Sequence, residues 1–200
     1  MNNYTYIISS LPVINEESGK NIDLDPERIV GEIREQLDGR DQSTLDLFLK
    51  GFEADNLCEG FYREALSHSN RFIREYYAFD LNVRNAKARF INEACGRPAS
   101  QDTIALSEDE SDSDFEQSGQ LDQILHRNDI LAREKGLDDL MWEHIGELTV
   151  FNYFDMDSIL AFTAKLNIVE RWLKLDAPTG REMFRTLVGE IRSTFKGVEY

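Results

Sequence analysis

Asp80, Arg84 and Lys87 lie where a helix needs apolar side chains. From Phe61 to Cys95 the chain reads as one long amphipathic helix, with Tyr62, Leu66, Ile73, Tyr76, Tyr77, Val83, Phe90, Ile91 and Ala94 recurring at three- and four-residue steps. The three charged residues fall within that stripe. Near the C-terminus Ile159, Phe162, Leu166, Val169 and Leu173 define a second stripe, and Glu170 lies inside it. Removing a charge from water costs several kcal/mol, so such residues pair with each other or face a partner. Any fold of this chain has to satisfy that condition.

Asp80 and Arg84 stand four apart with the acid first, the favourable order for a pair within a helix. On a surface the pair contributes only about 0.3–0.5 kcal/mol. Inside an apolar face, losing one partner leaves a buried charge and costs about 3–5 kcal/mol. Three arrangements meet the condition: a buried ion network that fixes helix register, a polar notch at a protein interface, and an active site. The expectation is the ion network, with Glu170 opposite Arg84 or Lys87.

The remaining elements are also helical. Asp25-Pro26 supplies a cap followed by proline in the first helical turn, and Ile29, Val30, Ile33 and Leu37 form the face behind it. Ser43-Thr44-Leu45-Asp46 is expected to open the next helix, through Phe48 and Phe52. Leu121, Ile124, Leu125 and Leu131 form another, broken at Gly136, and Leu137–Leu148 the one after it. Asp155 or Asp157 caps the helix carrying Glu170, and Thr179-Gly-Arg-Glu182 opens a last one. Tyr4–Ser10 reads as a short strand or extended segment. The expected class is therefore mainly α: an antiparallel helical bundle in one domain, residues 1–200, with one long central helix and a short extended N-terminal segment.

Residues 98–119 differ in kind. Ser107–Glu116 holds six acids and no base, a composition that repels itself and buries little, so a flexible exposed loop is expected there. As a calcium loop it fails: Gln117 stands where glycine is needed and Gln123 where a bidentate glutamate belongs. A formal net charge of −16 argues against nucleic acid or an anionic bilayer as partner. No apolar run reaches the length of a spanning helix, and Tyr4–Ile14 lacks the basic flank of a secretory signal. The expected location is cytoplasmic, peripheral to the inner membrane at most, with membrane contact only through partners.

Catalytic patterns are sparse. His68, His126 and His144 form no metal-binding pair, and each is expected to be a polar surface residue. Neither a G-x-S-x-G elbow nor a phosphate-cradling glycine loop occurs. Cys58 and Cys95 would stand about 55 Å apart on one continuous helix. They are expected to be inert packing thiols with no mutual disulfide. No cofactor is expected.

Asn3–Pro12 (NYTYIISSLP), Phe79–Asn85 (FDLNVRN) and the tract Ala132–Asp176 together resemble a small bacterial family of unknown function that accompanies genes of vacuolar/archaeal-type rotary ATPases. That tract includes Arg133-Glu134-Lys135, Trp142-Glu143, Tyr153-Phe154 and Lys165–Trp172. The family is in turn distantly similar to the C/d subunit of V-type ATPases, an all-helical central-stalk protein. Asp80–Asn85 resembles the aspartate–asparagine helix of that subunit. The resemblance implies a non-catalytic coupler, seated on the membrane rotor ring and receiving the stalk shaft. The C/d subunit is longer and built from repeated helical units, so this chain would cap the ring only in part. Asp80, Arg84, Asn85, Lys87, Glu134, Glu170, Arg171 and Trp172 are the structural and interface candidates. The rival readings are a metal-dependent hydrolase using Asp80, Glu134 and Glu170, and a stand-alone helical interaction module whose acidic loop binds a basic partner.

Overall fold

The computed structural model describes residues 3–14, 24–106 and 117–175. Among the described residues every regular element is helical. These are α1 (Tyr4–Ser10), α2 (Pro26–Gln36), α3 (Gly39–Lys50), a 3-10 turn at Ala54–Asn56, α4 (Glu59–Leu66), α5 (Arg71–Ala94), α6 (Ser118–Leu125), α7 (Ile130–Leu148) and α8 (Met156–Lys174). The acidic run 107–116 and the segment from Thr179 lie outside the described residues.

Side-chain caps set most helix starts. Asp25 accepts from the Arg28 amide at 3.1 Å, Asn70 from Ile73 at 2.9 Å and Asp155 from Ser158 at 2.9 Å. Each cap satisfies one of the amides that a helix N-terminus leaves without a partner, and is worth about 1 kcal/mol.

Five sequence expectations change. Tyr4–Ser10 is a helix, because Asn3 caps it at the Tyr6 amide and Tyr4, Ile7, Ile8 and Leu11 lie at helical steps on one core-facing side. The helix expected over Phe61–Cys95 is two helices. Ser67-His68-Ser69-Asn70 interrupts it: the Ser67 hydroxyl donates back to the Arg63 carbonyl, and Asn70 caps α5. Asp38, not Ser43, starts α3, and the Ser43 hydroxyl donates to the Gly39 carbonyl within the helix. The break expected at Gly136 falls earlier, at residues 126–129, with Asp129 capping α7 at Leu131. Gly136 instead lets α6 approach, since a Cβ there would stand 3.0 Å from Ile124 Cγ2. Cys58 and Cys95 are free and exposed, not packed, because each sits at a helix end.

The larger core joins α1–α5, α7 and α8. Phe48, Phe61, Tyr62, Phe72, Tyr76 and Tyr77 cluster there largely edge to face, with Ile159, Leu160 and Leu166 of α8 in the same core. Phe79 begins a second cluster with Leu121, Ile124, Leu125, Leu137 and Leu140, so α5 runs from one core into the other. The approach of α3 to this aromatic cluster rests on Gly51. A Cβ there would lie 2.5 Å from the Phe61 ring and closer still to the Tyr77 hydroxyl. Gly51→Ala is expected to destabilise the fold by about 2–3 kcal/mol through overpacking, read as a lower urea midpoint with unchanged slope.

Candidate functional site

The apolar stripe of α5 passes Asp80 into the interior, where it is 8% exposed. One oxygen of its carboxylate takes two donors. Tyr62 of α4 donates its hydroxyl to Oδ2 at 2.7 Å, and Arg84 donates Nε to the same oxygen at 2.8 Å. Burial opposes the Arg84 charge, but attraction and hydrogen bonding from Asp80 outweigh it and raise the guanidinium pKa. Burial, reinforced by the Asp80 charge, also raises the Tyr62 and Tyr76 hydroxyls, so both stay protonated donors.

Lys87, two turns along α5 from Asp80, reaches a different neighbour, Glu134 of α7, at 2.6 Å. Asn85 is buried and binds no charge. Its Nδ2 donates to the Ile104 carbonyl and its Oδ1 accepts from the Ile104 amide, both at 2.9 Å. Asn92, seven residues on and so on the same face, donates to the Gln101 carbonyl at 2.5 Å. Residues 98–106 are thus tied to α5, and the flexible loop expected over 98–119 is shortened. At its other end Ser118 already begins α6.

On α8, Glu170 pairs with Lys174 at 2.5 Å, one turn ahead. The expected bond from Glu170 to Arg84 or Lys87 is not made. The two stretches do meet, because Asp80, Arg84, Glu170, Arg171, Lys174 and Tyr76 all border one cavity of about 290 Å³. Arg171 points to Asp138 of α7, forming an ion pair, and Trp172 Nε1 donates to the same Asp138 oxygen at 2.6 Å. Burial raises the Asp138 pKa against the opposing pull of Arg171 and Trp172. Burial prevails because the Arg171 side chain is half exposed and its charge is screened by water.

Sequence reasoning missed Asp138, Tyr76 and Asn92 as site residues. The signal that could have found Asp138 is that it shares a helical face with Met141 and Ile145. His144 departs from expectation too. Its side chain is mostly buried, stacks on Phe79 at 4.0 Å and has Nδ1 3.8 Å from the Glu147 carboxylate. Burial accordingly lowers its pKa.

A family model described as a protein of unknown function, DUF2764, matches residues 53–195, well over half of the chain. The chain belongs to this family. All eight candidate residues lie inside the DUF2764 match, whereas Asn3–Pro12 lies outside it. No curated protein and no solved structure matches the chain. Asp80, Glu134 and Glu170, the acids of the hydrolase reading, each bind a different cation, and only Asp80 and Glu170 border the same cavity. Among the described residues no group of three or more His, Cys, Asp or Glu is placed to hold a metal.

Asp80→Ala is expected to cost about 3 kcal/mol, the lower end for a broken buried pair because Arg84 is half solvated. Equilibrium urea unfolding checks this value. Asp138 has the opposite sign. An acid whose pKa is higher in the fold than unfolded loses stability as pH rises through the folded value. Asp138→Asn, which copies the neutral form, is expected to be at least as stable as the parent at pH 7. The parent should gain on the variant as pH falls through the folded pKa toward the ordinary carboxylate value, measured by denaturant titration at successive pH values.

Proposed function

We propose that the chain is a non-catalytic adapter of a V/A-type rotary ATPase, joining rotor ring and central stalk in the manner of a C/d subunit. The partner identity comes from the sequence resemblance at Asp80–Asn85 and Ala132–Asp176. The structural observation that supports an adapter is the turn between α7 and α8. There Val150, Phe151, Tyr153 and Phe154 stand in solvent, with Phe151 90% and Tyr153 70% exposed.

The turn is held from below. Arg71 donates to the Leu148 carbonyl at 2.9 Å, the Asn152 amide bonds Thr149 at 3.0 Å, and the Asn152 side chain bonds Asp155 at 2.5 Å. Asn70 also bonds Asp157, tying the start of α8 to the start of α5. Aromatic side chains on a fixed backbone lose little freedom on docking, and such residues carry much of the energy of protein interfaces. The ion pairs of α5, α7 and α8 then serve to hold the helices that present the turn. No described helix is long and apolar enough to cross a membrane, so in this reading membrane contact runs through the ring.

The test is co-purification of the chain with the stalk subunits of the ATPase. A Phe151→Ser, Tyr153→Ser double variant is expected to reduce recovery by about tenfold or more, with an unchanged melting temperature. Consistent absence of the chain from an intact, coupled complex overturns the proposal.

A further inference from the structure

The cavity between α5 and α8 holds more hydrogen-bond donors than the protein itself engages. Arg84 uses only Nε on Asp80, and Arg171 uses only one terminal nitrogen on Asp138. Lys174 binds a single oxygen of Glu170. Tyr76 is the decisive residue. It is 6% exposed and borders the cavity, yet its hydroxyl makes no hydrogen bond to any described residue. The hydroxyl opens onto the cavity and is not sealed from solvent, so a ligand oxygen there would take the place of water. The acceptors on the same wall are fewer, since Asp80 already receives Tyr62 and Arg84, and Glu170 receives Lys174.

We infer that this cavity binds the oxyanion group of a small molecule, a carboxylate or a phosphate, which the Tyr76 hydroxyl and the free guanidinium nitrogens of Arg84 and Arg171 would hold. A planar guanidinium presents paired N–H groups that match two oxygens of one anion. The three cations of the wall each have one acid as partner, Arg84 with Asp80, Lys174 with Glu170 and Arg171 with Asp138, so an anion would be held by their remaining N–H groups and not by net charge. The volume of about 290 Å³ suits a compact ligand of a few heavy atoms. Glu170 and Asp80 limit how much negative charge enters, which favours a single anionic group over a polyanion.

This inference does not rest on the rotary-ATPase reading, and the two fail separately, since no ATPase subunit enters its test. The full-length chain is titrated with inorganic phosphate and, in parallel, with succinate, following amide chemical shifts. Saturable shifts confined to residues around the cavity are expected with at least one probe; which probe saturates tells phosphoryl from carboxyl ligands. Tyr76→Phe removes only a hydroxyl without a protein partner, so the variant should keep or exceed the parent melting temperature. It should also bind about tenfold more weakly, the loss expected for one hydrogen bond to a charged group. Non-saturating shifts with both probes, meaning an adventitious ion only, overturn the inference. So does binding that Tyr76→Phe leaves unchanged.

Discussion

One carboxylate oxygen fixes how the two central helices meet. Asp80 Oδ2 receives a hydroxyl from α4 and a guanidinium nitrogen from its own helix, both within 2.8 Å. Desolvating the charge is costly, and hydrogen bonds to charged groups return about 1.5–3 kcal/mol each. The net gain in stability is small, but the geometric constraint is strong. Rotating or sliding α4 against α5 would take the Tyr62 hydroxyl away and leave the buried carboxylate with Arg84 alone, so alternative registers are worse than the native one. Gly51, the Tyr77 bond to the Phe48 carbonyl and the position of α3 all follow from that register.

Asp138 shows the same residue type in a different balance. Its partners, Arg171 and Trp172, come from a separate helix, and the arginine is half in water. Burial therefore outweighs pairing, and the Asp138 carboxyl is held above its ordinary pKa. What Asp138 supplies is a link between α7 and α8, one end of which carries the aromatic turn. Between this link and the Asp80 pair lies Tyr76, whose hydroxyl belongs to neither.

The sequence made the helices legible where a cap stands at the head of an apolar stripe, as at Asp25 and Asp155, but not at Asn3, Asp38, Asn70 or Asp129. It misled where two signals compete. The Ser67–Asn70 run reads as part of an amphipathic stripe by periodicity, yet its side chains bond the backbone and stop the helix. Tyr4–Ser10 alternates like a strand, but its Asn3 cap and the contacts of Ile7 decide for helix. Asp80, Arg84 and Lys87 were visible as a conflict between charge and position. The Asp80–Arg84 pair was legible from its four-residue spacing, whereas Tyr62 and Glu134 were not, because helix packing that no local pattern encodes brings them to Asp80 and Lys87. Glu170 was expected opposite Arg84 or Lys87; it borders the same cavity as Arg84 but pairs with Lys174 of its own helix.

The asparagine clasp on α5 has a consequence for the connection to α6. By binding Gln101 and Ile104, Asn92 and Asn85 close the first part of that connection onto the helix that precedes it. Chain closure between the cores then involves only the span from Leu106 to Gln117, and the entropy of closing a span grows slowly with length, about 0.6 kcal/mol per doubling. The acidic run occupies that span. The clasp thus fixes, at Gln101 and Ile104, where the chain leaves the first core.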